Sequence, residues 1–162
     1  MLSQSTLDAA RDLLALLGAR HLTLATAESC TGGLIAAALT AIPGSSSVVT
    51  CGYVTYSNEA KAAMLGIPIG VIEGYGAVSD SVARRMAEGA LRASGTGIAV
   101  SCTGIAGPGG ATPGKPTGLV HMAAARRDGP TLAIRRVFPG DRTAVRAATV
   151  AEVLALARTL AG

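Results

Sequence analysis

Two copies of Ser-Cys-Thr-Gly stand in the chain, Ser29 to Gly32 in TLATAESCTGG and Ser101 to Gly104 in GIAVSCTGIAGPGG. Each follows a short apolar run and offers two hydroxyls and a thiol, residue types able to act as nucleophiles. Small residues at strand ends are also common packing and turn residues, so the letters alone do not make a site. The first copy is chemically the richer. Thr31, Gly32 and Gly33 open a predicted helix whose free N–H groups could hold a phosphate or an oxyanion, and Ser29 lies immediately before them.

A serine nucleophile needs a base, and the chain has two histidines. His21 is eight residues from Ser29 along the same predicted strand, about 26 Å at roughly 3.3 Å per residue, and cannot reach it. His121 falls inside a predicted hairpin and reads as a half-buried strand residue. AESCT also lacks the G-x-S-x-G elbow, so a Ser-His-Asp triad is disfavoured. Arginine does not deprotonate at ordinary pH, which leaves the two lysines, Lys61 and Lys115. Lys61, in TYSNEAK, falls in the first turns of a predicted helix, where the dipole and partial burial would lower its pKa. A solvated helix lysine is its bland alternative.

Several other motifs fail on spacing. Tyr56 and Lys61 are five apart rather than the four of the short-chain dehydrogenase pair, and no G-x-G-x-x-G accompanies them. GGATPGKP has phosphate-loop spacing, but Pro116 replaces the magnesium-binding hydroxyl and no strand leads into Gly109. Cys30 would be activated at a helix N-terminus, yet it has no histidine partner and reads rather as a small buried hydrophobe. Cys30, Cys51 and Cys102 lack paired short spacings, so no metal and no cofactor is expected.

The elements that must position these groups follow from periodicity. Leu7, Ala10, Leu13, Leu14 and Leu17 predict a first helix, with a Ser5/Asp8 capping box and Gly18 at its end. HLTLAT predicts a strand, GGLIAAALTAI a helix stopped by Pro43-Gly44, and SVVTCGYVTY a second strand. Ser57 is placed to cap the helix NEAKAAML, which Gly66 terminates. Ser79 is placed to cap a longer helix around Val82, Met86, Ala90 and Leu91. GIAVS is a short buried strand, followed by a glycine- and proline-rich loop from Gly104 to Gly118. LVHMAAA and LAIRRVF form a hairpin about Asp128-Gly129-Pro130, and a last helix starts near Asp141. Helices interleaved with strands predict one domain over residues 1–162, a three-layer α/β/α sandwich with a mixed, mostly parallel sheet.

Composition narrows the function. With 49% hydrophobic residues, 162 residues can bury a full core without disulfides, and three cysteines outside any CxxC read as reduced thiols in the cytoplasm. The net charge of +4 is dispersed and aromatic residues are 2% of the chain, so stacking platforms for nucleic acid are scarce. No apolar stretch approaches the roughly 20 residues that span a bilayer, and Asp8, Arg11 and Asp12 interrupt the N-terminal pattern.

Taken in order, TAESCTGG, GSS, TYSNEAK, GAVS, SCTGIAGPGG, KPTGLV and FPGDRTAVR resemble the C-terminal domain of the competence-damage protein family CinA, from about Thr26 to Arg146. Stand-alone members of that family are nicotinamide mononucleotide deamidases. The resemblance implies an α/β/α fold, metal-independent hydrolysis of the carboxamide to nicotinate mononucleotide and ammonia, and a serine–lysine pair falling on Ser29 and Lys61. It further implies Tyr56 and Asn58 as hydrogen-bonding partners of the dyad or carboxamide, and backbone donors around Thr31, Gly32 and Gly33. Gly104 would line the pocket. Arg142 is the expected phosphate ligand, with a surface ion pair as its alternative. A small-molecule nucleotide is the partner implied, self-association is left open, and activity belonging to the N-terminal domain of two-domain members is not carried over. A non-catalytic nucleotide- or partner-binding module is the rival class.

Overall fold

The computed structural model describes residues 2–162. Its elements run α1 (Gln4–Ala19), β1 (Leu24–Glu28), α2 (Leu34–Thr40), β2 (Val49–Val54), α3 (Asn58–Leu65), α4 (Ile69–Tyr75), α5 (Asp80–Ser94), β3 (Ile98–Gly104), β4 (Leu119–Arg126), β5 (Thr131–Val137) and α6 (Arg142–Ala161), with a short 3-10 turn at Ser45–Ser47 before β2. The five strands form one sheet in the order β2-β1-β3-β4-β5. β1 pairs in parallel with β2 and β3, whereas the β3–β4 and β4–β5 pairs are antiparallel. Four strands therefore point one way and β4 alone runs back, which is the mixed α/β sheet expected.

Alternating strand residues feed two cores, as a period of two requires. Leu24, Ile98, Val100, Val120 and Met122 face α1, α2 and α6. Ala25, Ala27 and Ala99 face Leu65 of α3, Ile72 of α4 and Val82, Met86 and Ala90 of α5, while Ala123 and Ala125 meet Ala83 and Ala87. Small residues on that second face let α5 lie close to the sheet.

Capping chemistry placed several boundaries correctly. Ser57 Oγ accepts from Ala60 N–H, Ser79 Oγ from Val82 N–H, and Asp141 from Ala144 N–H, with Gly66 left-handed after α3. At α1 the expected box is wrong: Ser3 is the cap, accepting from Thr6 N–H, and the helix passes Gly18 to end at Ala19. β1 lies later than HLTLAT because His21 occupies a left-handed turn, and pairing on both sides carries the strand on to Glu28. α2 starts later too, since Gly32 and Gly33 have φ of 59° and 99° and form a turn first. Helix α4 has no counterpart in the sequence reading, because Gly70 and Gly74 dilute its helical preference. β3 extends to Gly104, so the second Ser-Cys-Thr-Gly lies inside a strand and not beyond its end.

Direction decides where function collects. The carboxyl ends of β1, β2, β3 and β5 share one edge of the sheet, together with the start of β4. The turn after β1, the segment from Thr55 to Asn58, the loop from Ile105 to Gly118 and the start of α6 therefore converge there, as crevices in open α/β sheets do.

Candidate active site

Ser29 follows the last residue of β1. Its N–H donates to Cys102 O at 3.1 Å and its carbonyl accepts from Gly32 N–H at 3.0 Å, so the backbone bearing the hydroxyl is tied to β3 and to its own turn. Lys61 sits one turn into α3, which Ser57 caps and which begins just past β2. Because β2 lies beside β1 in parallel register, α3 starts next to the end of β1. Lys61 Nζ lies 3.0 Å from Ser29 Oγ and donates to Thr55 O at 2.9 Å.

Lys61 is 2% exposed, and among the described residues no carboxylate lies within ion-pair distance of it. Burial pushes its pKa below the ordinary lysine value, only partly opposed by Cys30, Cys102 and Glu59. An amine that gives up its proton more readily, in contact with a hydroxyl, can act as a general base. The expected cause was the helix dipole with burial; burial is the leading one here. Lys115 is excluded from this role, since its Nζ donates to Tyr75 O at 3.2 Å and it is absent from the cavity walls. His121 is not part of the walls either. Burial lowers its pKa, and its Nδ1 is buried without a partner.

A cavity of about 230 Å³ opens over the pair. Ser29, Lys61, Tyr56, Asn58, Gly104 and Arg142 all line it, together with Cys30, Ala77, Val78, Thr103 and Ala106. A second, roomier cavity of about 520 Å³ adjoins it, sharing Ala106 and Arg142 and walled by the Gly107–Gly109 loop and the start of α6. Tyr56 is exposed, and its hydroxyl accepts from Arg142 at 2.7 Å in place of contacting the dyad. Arg142 also donates to Gly107 O at 2.9 Å and has no acid partner among the described residues, which disposes of the surface ion pair. Gly104 permits the close approach of β3 to β4: a Cβ there would lie 2.7 Å from Leu119 O.

Three expected ligand-binding residues lie elsewhere. Thr31, Gly32 and Gly33 are outside the cavity walls. Thr31 is fully buried and its hydroxyl donates to Glu28, while the N–H groups of Gly32 and Gly33 are spent on Ser29 O and Glu28. The N–H groups of Cys30 and Thr31 have no partner in another residue among those described. Glu28 is the residue that sequence reasoning missed. It takes up the donors at the start of α2, and its signal was a carboxylate ending a short buried strand, five residues ahead of the helix cap.

The second tetrapeptide is spent on packing. Ser101 Oγ donates to Ala83 O at 2.6 Å and Thr103 Oγ1 to Ala77 O at 2.7 Å, both on the α5 side. Cys102 points the other way, 3.1 Å from Thr31 Oγ1. Interaction with Cys102 and burial push the Cys30 thiol well above its ordinary pKa, which leaves it protonated and a poor nucleophile. Cys30→Ala is therefore expected to keep catalytic turnover within about threefold of wild type, since at most a small buried group is lost. Steady-state rates with the substrate proposed below check this, and a dead Cys30→Ala enzyme would shift the nucleophile from Ser29 to the thiol. Among the described residues no group of acidic, histidine and cysteine side chains is arranged to hold a metal ion, and no helix is long and apolar enough to cross a membrane.

Residues 7–161 match the family model of the CinA C-terminal domain. A CinA-like protein of Akkermansia muciniphila is 52% identical over 130 residues, covering 80% of this chain and 31% of that relative. One from an Anaeromyxobacter species is 49% identical over 146 residues, covering 90% and 36%. The chain thus spans about a third of the length of these curated relatives. Among solved structures, the competence/damage inducible protein CihA of Agrobacterium tumefaciens superposes with a TM-score of 0.97 at 45% identity, covering 100% of this chain and 99% of that one. A CinA superfamily protein of Klebsiella pneumoniae gives 0.92 at 38% identity, with 98% and 99% covered. With the family model spanning nearly all of the chain, and the sheet edge that carries Ser29 and Lys61 lying inside the matched region, the protein belongs to the CinA C-terminal domain family.

Proposed function

We propose that the protein hydrolyses the carboxamide of nicotinamide mononucleotide, giving nicotinate mononucleotide and ammonia through a Ser29/Lys61 dyad. The observation that carries this reading is the 3.0 Å approach of a buried lysine amine, without a carboxylate partner, to a serine hydroxyl on the floor of a cavity. Lys61 takes the Ser29 proton as Oγ attacks the carboxamide carbon, and the resulting ammonium returns it to the leaving nitrogen as the C–N bond breaks. Ammonia departs. Water, deprotonated by Lys61, then cleaves the nicotinoyl ester and restores Ser29.

The carbonyl oxygen gains charge in both steps and needs fixed donors. Gly32 and Gly33 are already engaged and Thr31 lies outside the cavity walls, which leaves the N–H of Cys30, the residue after the nucleophile and part of the wall, for this task. The smaller cavity would take the pyridine carboxamide and the larger one the ribose phosphate. Arg142 stands at their junction and, having no acid partner, would meet the phosphate, with Tyr56 fixing its guanidinium. Asn58 is the side-chain amide available to the carboxamide.

Incubation with nicotinamide mononucleotide and measurement of ammonia tests the reading, with chelator present to show that release does not require a metal. Ammonia matched by nicotinate mononucleotide is the expected result. Ligand binding without ammonia at any pH between 6 and 10 would favour a non-catalytic nucleotide-binding module.

A further inference from the structure

We infer that Glu28, Thr31 and Arg146 form a clamp that holds the Ser29 hydroxyl against Lys61, acting as positioning residues for the chemistry proposed above, on which this inference rests. Glu28 is fully buried at the end of β1. One carboxylate oxygen accepts from Thr31 Oγ1 at 2.6 Å and from the N–H groups of Gly33 and Ile35, each at 3.0 Å. The other accepts from Ala36 N–H at 2.8 Å and Thr26 Oγ1 at 3.3 Å. Five donors are thus answered by one group, and no cation among the described residues is paired with it.

Arg146, one turn beyond Arg142 on α6, donates to the Thr31 carbonyl at 2.7 Å, so Thr31 is held by its hydroxyl from inside and by its carbonyl from outside. The turn that follows Thr31 has little stiffness of its own, because Gly32 and Gly33 are both left-handed and lack side chains to pack. Ser29 lies two residues before Thr31, with Gly32 N–H bonded back to its carbonyl. Loosening Thr31 therefore moves the hydroxyl that must meet Lys61. Neither Glu28 nor Arg146 lines the cavity, so both would act through the turn and not on the substrate.

Carboxylate chemistry is required, since four or so lone-pair sites accept these donors, whereas the amide of a glutamine turns two donors of its own toward them. A displacement of about 1 Å at a reacting atom costs roughly 100-fold in rate. Glu28→Gln, Thr31→Val and Arg146→Met are each expected to lower kcat for nicotinamide mononucleotide by about 10- to 100-fold with KM held within about threefold, and Thr31→Ser and Arg146→Lys to recover most of the loss.

The same proteins are treated with a fluorophosphonate, and modification of Ser29 is followed by intact mass and peptide mapping. The three disruptive variants should be labelled more slowly in proportion to their kcat. Should Glu28→Gln fail to fold, Thr31→Val and Arg146→Met decide the matter, because one preserves shape and the other changes a partly exposed side chain. Labelling and kcat at wild-type levels in both would refute the clamp while leaving the dyad standing. A wild-type protein that neither labels at Ser29 nor releases ammonia would instead defeat the dyad, and the clamp with it.

Discussion

Replacing Ser29 with alanine lowers the rate of ammonia release by about 10⁴- to 10⁶-fold, the loss typical of removing a hydrolase nucleophile, while the midpoint of thermal unfolding stays within about 2 °C. The two effects separate because Ser29 spends its backbone on structure and its hydroxyl on Lys61. The N–H to Cys102 and the carbonyl to Gly32 survive the substitution, and only the 3.0 Å contact to Lys61 Nζ is lost. Single-turnover assays distinguish this from slow product release. A Ser29→Ala enzyme with a rate within tenfold of wild type would rule out covalent catalysis through this residue.

Lys61→Met is the complementary case, with activity and stability expected to move in opposite directions. The rate falls by about 10³- to 10⁵-fold, because no other base reaches Ser29 Oγ and methionine fills the same space without a proton acceptor. Stability at neutral pH rises by about 1 kcal/mol, or roughly 2–4 °C in the unfolding midpoint, because a buried amine without a carboxylate partner is exchanged for an apolar chain, offset in part by the lost bond to Thr55 O.

The pH dependence carries the sign. Lys61 titrates lower in the folded protein than in the unfolded chain, so between those two pKa values the unfolded chain holds more protons, and stability rises with pH across that window. Below the folded pKa the full penalty is present in wild type. Lys61→Met should lack this contribution, so the difference between the two proteins shrinks as pH climbs toward the ordinary lysine range. Over the same interval kcat/KM of wild type should rise with pH to a plateau. Denaturant unfolding and rate profiles from pH 6 to 10 check both. An equally stable, equally pH-insensitive pair would mean that Lys61 carries no desolvation penalty.

The features that stood out in the sequence are those whose physics is local. Ser57, Ser79 and Asp141 answer N–H groups three residues away, and Gly66 ends α3 by adopting a left-handed turn, so each could be placed without knowing the fold. Ser3 was missed in favour of Ser5 because adjacent hydroxyls are equivalent in a string of letters, and only one sits outside the first helical turn. Helix α4 was missed because its glycines are tolerated through packing of Ile72, which is a tertiary matter. The resemblance to one family likewise needed no coordinates, since its motifs are contiguous stretches of chain.

What the sequence by itself determined was the pairing of a serine with one of two lysines, by elimination of bases that cannot reach or cannot deprotonate. It also set the order of helices and strands apart from α4. What only the tertiary structure decided was which groups are free to react. Parallel pairing of β1 with β2 brings residues 32 positions apart to 3.0 Å, and burial strips Lys61 of the solvent that would keep it protonated. The two identical tetrapeptides part company for the same reason. In β3 both hydroxyls of the second copy are consumed by backbone carbonyls, of Ala83 in α5 and of Ala77 ahead of it, whereas the first copy lies past its strand in a turn whose donors are taken by Glu28 and the Ser29 carbonyl, leaving the Ser29 hydroxyl to Lys61. Hydrogen-bond partners distant in the chain, not residue type, make one copy a reaction site and the other a wall.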